Sequence, residues 1–171
     1  TTKGGSWICN GVTLTHNWNQ NVGVVTYDTP YFNYCQTYPT QLFPGSSLFL
    51  GVDGVTTLNG PFTYYIDFSV PVNNVQILYG GGGTSFSQNL TETFIFTTNT
   101  GIPTINPTYT CLSEINGNVM IIGSGSTWDN PTLNTGSGRI SIENTYNFTR
   151  LTIQGDGGSI AGQGGGTFFK F

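Results

Sequence analysis

Eight carboxylates, one imidazole and three thiols make up nearly the whole stock of acid–base and nucleophilic groups in this chain. The carboxylates are Asp28, Asp53, Asp67, Glu92, Glu114, Asp129, Glu143 and Asp156. Glycoside hydrolysis needs two of them facing each other about 5–10 Å apart. Glu92 and Glu143 fall at predicted strand ends and could meet across a groove, but nothing in their spacing requires it. Surface solubilisers and turn acceptors are the simpler roles, so no enzyme is expected. His16 sits in Thr15-His16-Asn17-Trp18, with no Gly-x-Ser-x-Gly element in the chain. A cysteine could meet it only through the fold; an exposed or capped histidine is the expectation.

Cys9, Cys35 and Cys111 are an odd count. One bridge with a free thiol and three buried thiols both fit; if a pair forms, Cys9–Cys35 is preferred, because it would pin the N-terminal segment to the next hairpin. Zinc is not expected with a single imidazole and no metal-like spacing. Calcium wants six to eight oxygens. Asp53-Gly54 and Asp156-Gly157-Gly158-Ser159 could each contribute some, but an Asp-Gly turn whose side chain accepts local amide protons is the simpler reading. No cofactor is therefore expected, with calcium the one candidate ion. The glycine runs 80–83 and 162–166 lack the Lys-Ser/Thr ending of a phosphate-binding loop.

The aromatic residues carry more weight. Sugar rings present apolar C–H faces, which exposed Trp and Tyr can stack on while Asn, Gln and Asp take the hydroxyls. Trp128 beside Asp129 and Asn130 has that composition, and so does Trp18 among Asn17 and Asn19. These six are the candidate ligand contacts. Segment 31–38 (YFNYCQTY) is a third cluster. The alternative is that such rings close the ends of a sandwich, each with its polar tip left wet; for Trp18 that is the preferred reading.

Charge narrows the partners. Asp and Glu number 8, Lys and Arg 4, together 7% of the chain, against about a quarter in typical domains. Thr, Asn, Ser, Gln and backbone amides must wet the surface. The four cations are scattered, which excludes a phosphate-tracking nucleic-acid surface and a polybasic membrane site. No apolar run approaches the roughly 18 residues of a membrane-spanning helix. The chain begins Thr1-Thr2-Lys3, as a mature or excised form would.

The elements that must position these groups are strands. Segment 63–69 sets Tyr64, Ile66 and Phe68 on one face and Tyr65, Asp67 and Ser69 on the other, the period of a half-buried strand. Segment 74–79 repeats this with Val75, Ile77 and Tyr79 inward. Further strands are predicted at 23–27, 48–52, 92–98, 119–122, 139–143, 148–154 and 167–171, with an edge strand over 7–14. Asn116-Gly117 predicts a type I′ hairpin. Segment 123–138 is the longest polar insertion. Helical periodicity is nearly absent. The expected fold is all-β: residues 1–171 as one jelly-roll-like antiparallel β-sandwich.

Segment 61–79 (PFTYYIDFSVPVNNVQILY) resembles secreted and surface modules of bacteria, in which a strand ending DFSxPV feeds NNVxxxL. Segments 148–155 and 164–171 resemble the last two strands of carbohydrate-binding jelly rolls. Segment 92–104 is similar to the Thr- and Gly-rich strands of surface adhesins of gliding bacteria. The carbohydrate-binding pattern has an Asp in its final strand where this chain has Phe168, Phe169 and Lys170, so no sugar or calcium ligand is implied there. What the resemblance implies is fold and compartment.

The resulting expectation is a non-catalytic extracellular or cell-surface module for adhesion or recognition, its partner a glycan or a neighbouring surface protein. Self-association through an edge strand is a further expectation, and a structural subunit of a filament, spike or capsid is the alternative role. A glycan-degrading enzyme is a distant third.

Overall fold

A computed structural model describes residues 5–18, 23–27, 47–52, 61–82, 91–111, 113–122, 136–156 and 165–171. Every regular element among them is a strand. In chain order these are β1 (Gly5–Cys9), β2 (Val12–Trp18), β3 (Gly23–Tyr27), β4 (Ser47–Val52), β5 (Phe62–Val72), β6 (Val75–Gly82) and β7 (Glu92–Thr98). There follow β8 (Thr104–Cys111), β9 (Ser113–Asn116), β10 (Val119–Ile122), β11 (Gly136–Glu143), β12 (Phe148–Gly155) and β13 (Gly165–Lys170). They form a seven-stranded sheet in the order β1-β2-β5-β12-β7-β10-β9 and a six-stranded sheet in the order β3-β4-β13-β6-β11-β8. All pairings are antiparallel.

From β4 onward nearly every consecutive strand changes sheets, β9 and β10 excepted. The set β5-β12-β7-β10 faces β6-β11-β8 in the interleaved manner of a jelly roll, so the expected β-sandwich is the observed one. Its strands alternate as the sequence predicts: Phe62, Tyr64, Ile66 and Phe68 of β5 are buried while Thr63, Tyr65 and Asp67 face outward. The inner faces meet in one core, where Phe94 of β7 crosses to Phe169 of β13 with ring centroids 5.3 Å apart. Gly155 lets this core close, since a Cβ there would lie 2.2 Å from the Phe62 ring. An alanine would force rings out of place.

The N-terminal segment is a hairpin rather than one edge strand over 7–14. Asn10 and Gly11 both take positive φ, 48° and 79°, and Cys9 pairs with Val12 across them. That is the type I′ turn which Asn-Gly favours. At the other Asn-Gly, Asn116 pairs with Val119 and the turn residues are Gly117 and Asn118. Only Gly117 of the two has positive φ, 61°, which is the type II′ pattern and corrects the predicted type I′ turn. The sequence reading also passed over β8 and β9.

Cys9 is a free thiol packed against the core, whereas Cys111 is disulfide-bonded. The expected Cys9–Cys35 bridge is therefore not formed. Its premise was proximity along the chain, but Cys9 lies in an edge hairpin of the seven-stranded sheet and bridging geometry is set in space.

Candidate functional site

One end of the sandwich is built by three short turns, 73–74 between β5 and β6, 99–103 between β7 and β8, and 144–147 between β11 and β12. Three asparagines join them. Asn73 Oδ1 accepts from the backbone N–H groups of Asn74 and Asn144, and its Nδ2 donates to the Asn144 carbonyl at 2.8 Å. The Asn144 amide nitrogen Nδ2 donates to Thr98 Oγ1 at 2.7 Å, and its Oδ1 accepts from the Thr145 N–H. Asn99 Oδ1 accepts from the N–H groups of Thr149 and Arg150, both at 3.0 Å, while its Nδ2 donates to Thr149 Oγ1. Carboxamides suit this work because each offers donors and an acceptor at fixed angles.

The locked turns frame an open cleft of about 280 Å³ lined by Ile102, Thr104, Asn106, Glu143, Asn144 and Thr145. That volume is near the lower bound, roughly 300 Å³, of small-molecule sites. Antiparallel pairing sets its floor: Thr104 of β8 lies opposite Glu143 of β11, and Asn106 opposite Ser141. The Ser141 hydroxyl donates to Glu143 Oε1 at 2.9 Å and so orients the carboxylate. Glu143 is the one charged side chain among the described lining residues. Two large apolar groups border the cleft exposed, Ile102 at 74% and Tyr146, next to Thr145, at 68%. The arrangement offers hydroxyl, amide and carboxylate groups on fixed backbone beside an unburied ring.

Of the sequence-predicted contacts, Trp128, Asp129, Asn130 and Asn19 lie outside the described residues, as do Asp53 and Cys35. Trp18 and Asn17 are described, and they do not converge. Trp18 faces the interior, where it stacks on Tyr64 at 6.5 Å and 22°, while Asn17, one residue along the strand, lies exposed on the opposite face.

Trp18 belongs to an aromatic wall on the inner side of β2 and β5. His16 sits at its centre, with ring centroids 5.3 Å from Trp7, 5.4 Å from Trp18 and 5.8 Å from Tyr64. Phe171 adds to it against Trp7. His16 Nδ1 and the Tyr64 hydroxyl are 2.8 Å apart. Burial lowers the imidazole pKa below its usual 6.5 and raises that of the phenol above the usual 10.0, so the pair is neutral near pH 7. His16 is thus a half-buried packing residue rather than the exposed or capped one expected. Gly5 makes room for it, because a Cβ there would lie 2.6 Å from His16 Nε2.

The carboxylates are scattered. Glu92 is buried, its Oε2 accepting from the Thr167 hydroxyl at 2.5 Å, rather than wetting the surface. It opens β7, and about 20 Å of strand rise separates it from Thr98, the residue bonded to Asn144. Glu92 and Glu143 therefore stand at opposite ends of the sandwich and cannot form the pair a glycosidase needs. Asp156 Oδ2 accepts from the Thr93 N–H at 3.1 Å, the turn-acceptor role. Asp67 pairs with Arg150, Nε to Oδ1 2.6 Å and Nη2 to Oδ2 2.9 Å. Among the described residues no three metal-ligating side chains gather, and no helix is long and apolar enough to cross a membrane.

The sequence reading missed Ile102, Thr104, Asn106, Asn144, Thr145 and Tyr146, and took Glu143 only as one carboxylate of eight. The available signal was an exposed apolar pair, Ile102 and Tyr146, each set in a turn of Asn and Thr.

No protein-family model matches this chain, and no curated protein matches it, so the resemblance to secreted bacterial modules rests on its β-rich architecture alone. Among solved structures the chain is similar to the enzymatically active domain of tailspike protein 4 of bacteriophage CBA120, with a TM-score of 0.38 and 11% identity. The match covers 94% of this chain and 18% of that one. Because this neighbour is an enzymatically active domain, the expectation of a non-enzyme is corrected and no longer held. That expectation leaned on scarcity of charge, which is a poor guide, since a hydrolytic site needs as few as two carboxylates.

Proposed function

We propose that this protein recognises a glycan at the cleft between β8 and β11, in an extracellular or surface setting. The observation that carries the reading is the cleft lining: Thr104, Asn106, Glu143, Asn144 and Thr145 converge beside exposed Tyr146 and Ile102. Hydroxyl-rich ligands need many short polar contacts of this kind together with an apolar surface for their C–H faces. The backbone bearing those groups is fixed before binding by Asn73, Asn99 and Asn144, which lowers the entropy cost of association. With Glu143 the one charge among the described lining residues, the site favours neutral or amino sugars over acidic ones. The disulfide at Cys111 supports an oxidising compartment.

The test is a glycan-array screen followed by calorimetry on the best neutral hit. Glu143→Ala and Tyr146→Ala should each weaken binding about tenfold or more, consistent with roughly 1.5–3 kcal/mol for a hydrogen bond to a charged group. Trp128→Ala serves as the comparator. Loss of binding in Trp128→Ala with both cleft variants at full affinity would sink the cleft reading and move the site to segment 123–135. New reducing ends are followed in the same samples, so that binding and cleavage are told apart.

A further inference from the structure

An unpaired sheet edge is a row of backbone donors and acceptors waiting for a strand, and stable proteins guard such edges with charge, proline or a bulge. The sheet edges are β1 and β9 in one sheet and β3 and β8 in the other. β8 carries Pro107, and its pairing with β11 shifts register between Arg139 and Ile140. β9 is four residues long and displays exposed Glu114. β1, Gly5-Ser6-Trp7-Ile8-Cys9, has no charge and no proline, pairs with β2 in unbroken register, and turns Ile8 outward at 74% exposure.

We propose that β1 pairs with β1 of a second copy of this chain, about a two-fold axis at Trp7, joining two seven-stranded sheets edge to edge. The type I′ turn fixes which groups are free. Cys9 and Val12 flank a two-residue loop and so form a hydrogen-bonded pair. Alternation then directs the N–H and C=O of Trp7 and Gly5 toward β2, and those of Ser6 and Ile8 outward. In an antiparallel copy centred on Trp7, Ser6 of one chain lies opposite Ile8 of the other, and both residues present their groups. Four backbone hydrogen bonds form by symmetry and the whole strand overlaps itself. The Trp7 residues of the two copies fall at the closer, non-hydrogen-bonded position. A neutral edge meets its own copy without like-charge repulsion, whereas two copies of β9 would oppose Glu114 with Glu114. Such an interface is isologous and closes at two copies.

The experiment is sedimentation velocity on the full chain from low to high micromolar concentration, with circular dichroism as the check on folding. Wild type should move from monomer toward twice that mass. Ser6→Pro removes an outward N–H and none of the bonds to β2, a substitution that sheet edges tolerate. It should weaken the dimer about tenfold or more, and Ile8→Lys should do the same by adding charge to the interface. A mass that stays monomeric throughout overturns the proposal, as does a dimer indifferent to both variants. Growth past two copies overturns it too, because it requires a head-to-tail contact.

Discussion

The asparagine-framed end and the aromatic wall solve the same problem, closing a sandwich, with opposite chemistry. At the framed end the joints are amide hydrogen bonds among exposed residues, so each exchanges with water at little net gain, about 0.5–1.5 kcal/mol. At the wall the joints are rings packed around fully buried Tyr64, where water is absent and every lost contact leaves a void. The first design supplies order and the second supplies stability. A binding cleft belongs at the framed end, since it must stay wet and keep its shape.

The comparison breaks most directly at Tyr64. Tyr64→Ala removes a fully buried ring together with the partner of His16 Nδ1, and should cost about 3–5 kcal/mol, the range for large-to-small aromatic changes in cores, read by chemical denaturation. A smaller effect is expected at Asn99. Asn99→Ala loses two accepted and one donated hydrogen bond at an exposed turn, so denaturation should register about 1–2 kcal/mol. A loss at Asn99 equal to that at Tyr64 would erase the distinction. The smallest effect is the pH response of the wall. Burial lowers the folded-state pKa of His16 below 6.5, so between that lowered value and 6.5 the unfolded chain binds more protons. Stability should therefore be full above pH 6.5 and fall as pH drops through the lowered pKa. His16→Phe should flatten that part of the profile, and an unchanged slope would show that the wall does not sense the proton.

How much of this was legible depends on whether a residue's role is set by its own strand or by a distant one. β5 could be read because Tyr64, Ile66 and Phe68 alternate with polar neighbours and one face is fully buried. β8 could not, because only Ile105 is buried in a Thr-, Asn- and Pro-containing edge strand, so the hydrophobic period never appears. The β1–β2 hairpin was merged into one strand although Asn10-Gly11 marks its turn. The cleft was hidden for a deeper reason. Thr104, Asn106 and Glu143 are common residue types, and only the register of β8 on β11 brings them together. Trp18 shows the converse: its polar neighbours in sequence suggested an exposed platform, but one step along a strand separates inside from outside.

The weave of the two sheets also sets the timetable on which the chain can fold. Asp67 and Arg150 stand 83 positions apart yet face each other on adjacent strands, and β13 must slot between β4 and β6 to complete its sheet. Few contacts are local, so loop-closure entropy is spent before most pairings can repay it, and folding should run on the slow, millisecond-to-second scale of β-sandwiches. During synthesis β5 emerges long before β12, its central partner. Until β12 and β13 leave the ribosome, the apolar face of β5 has no finished core to enter, and a nascent chain stalled short of them is the form most exposed to aggregation.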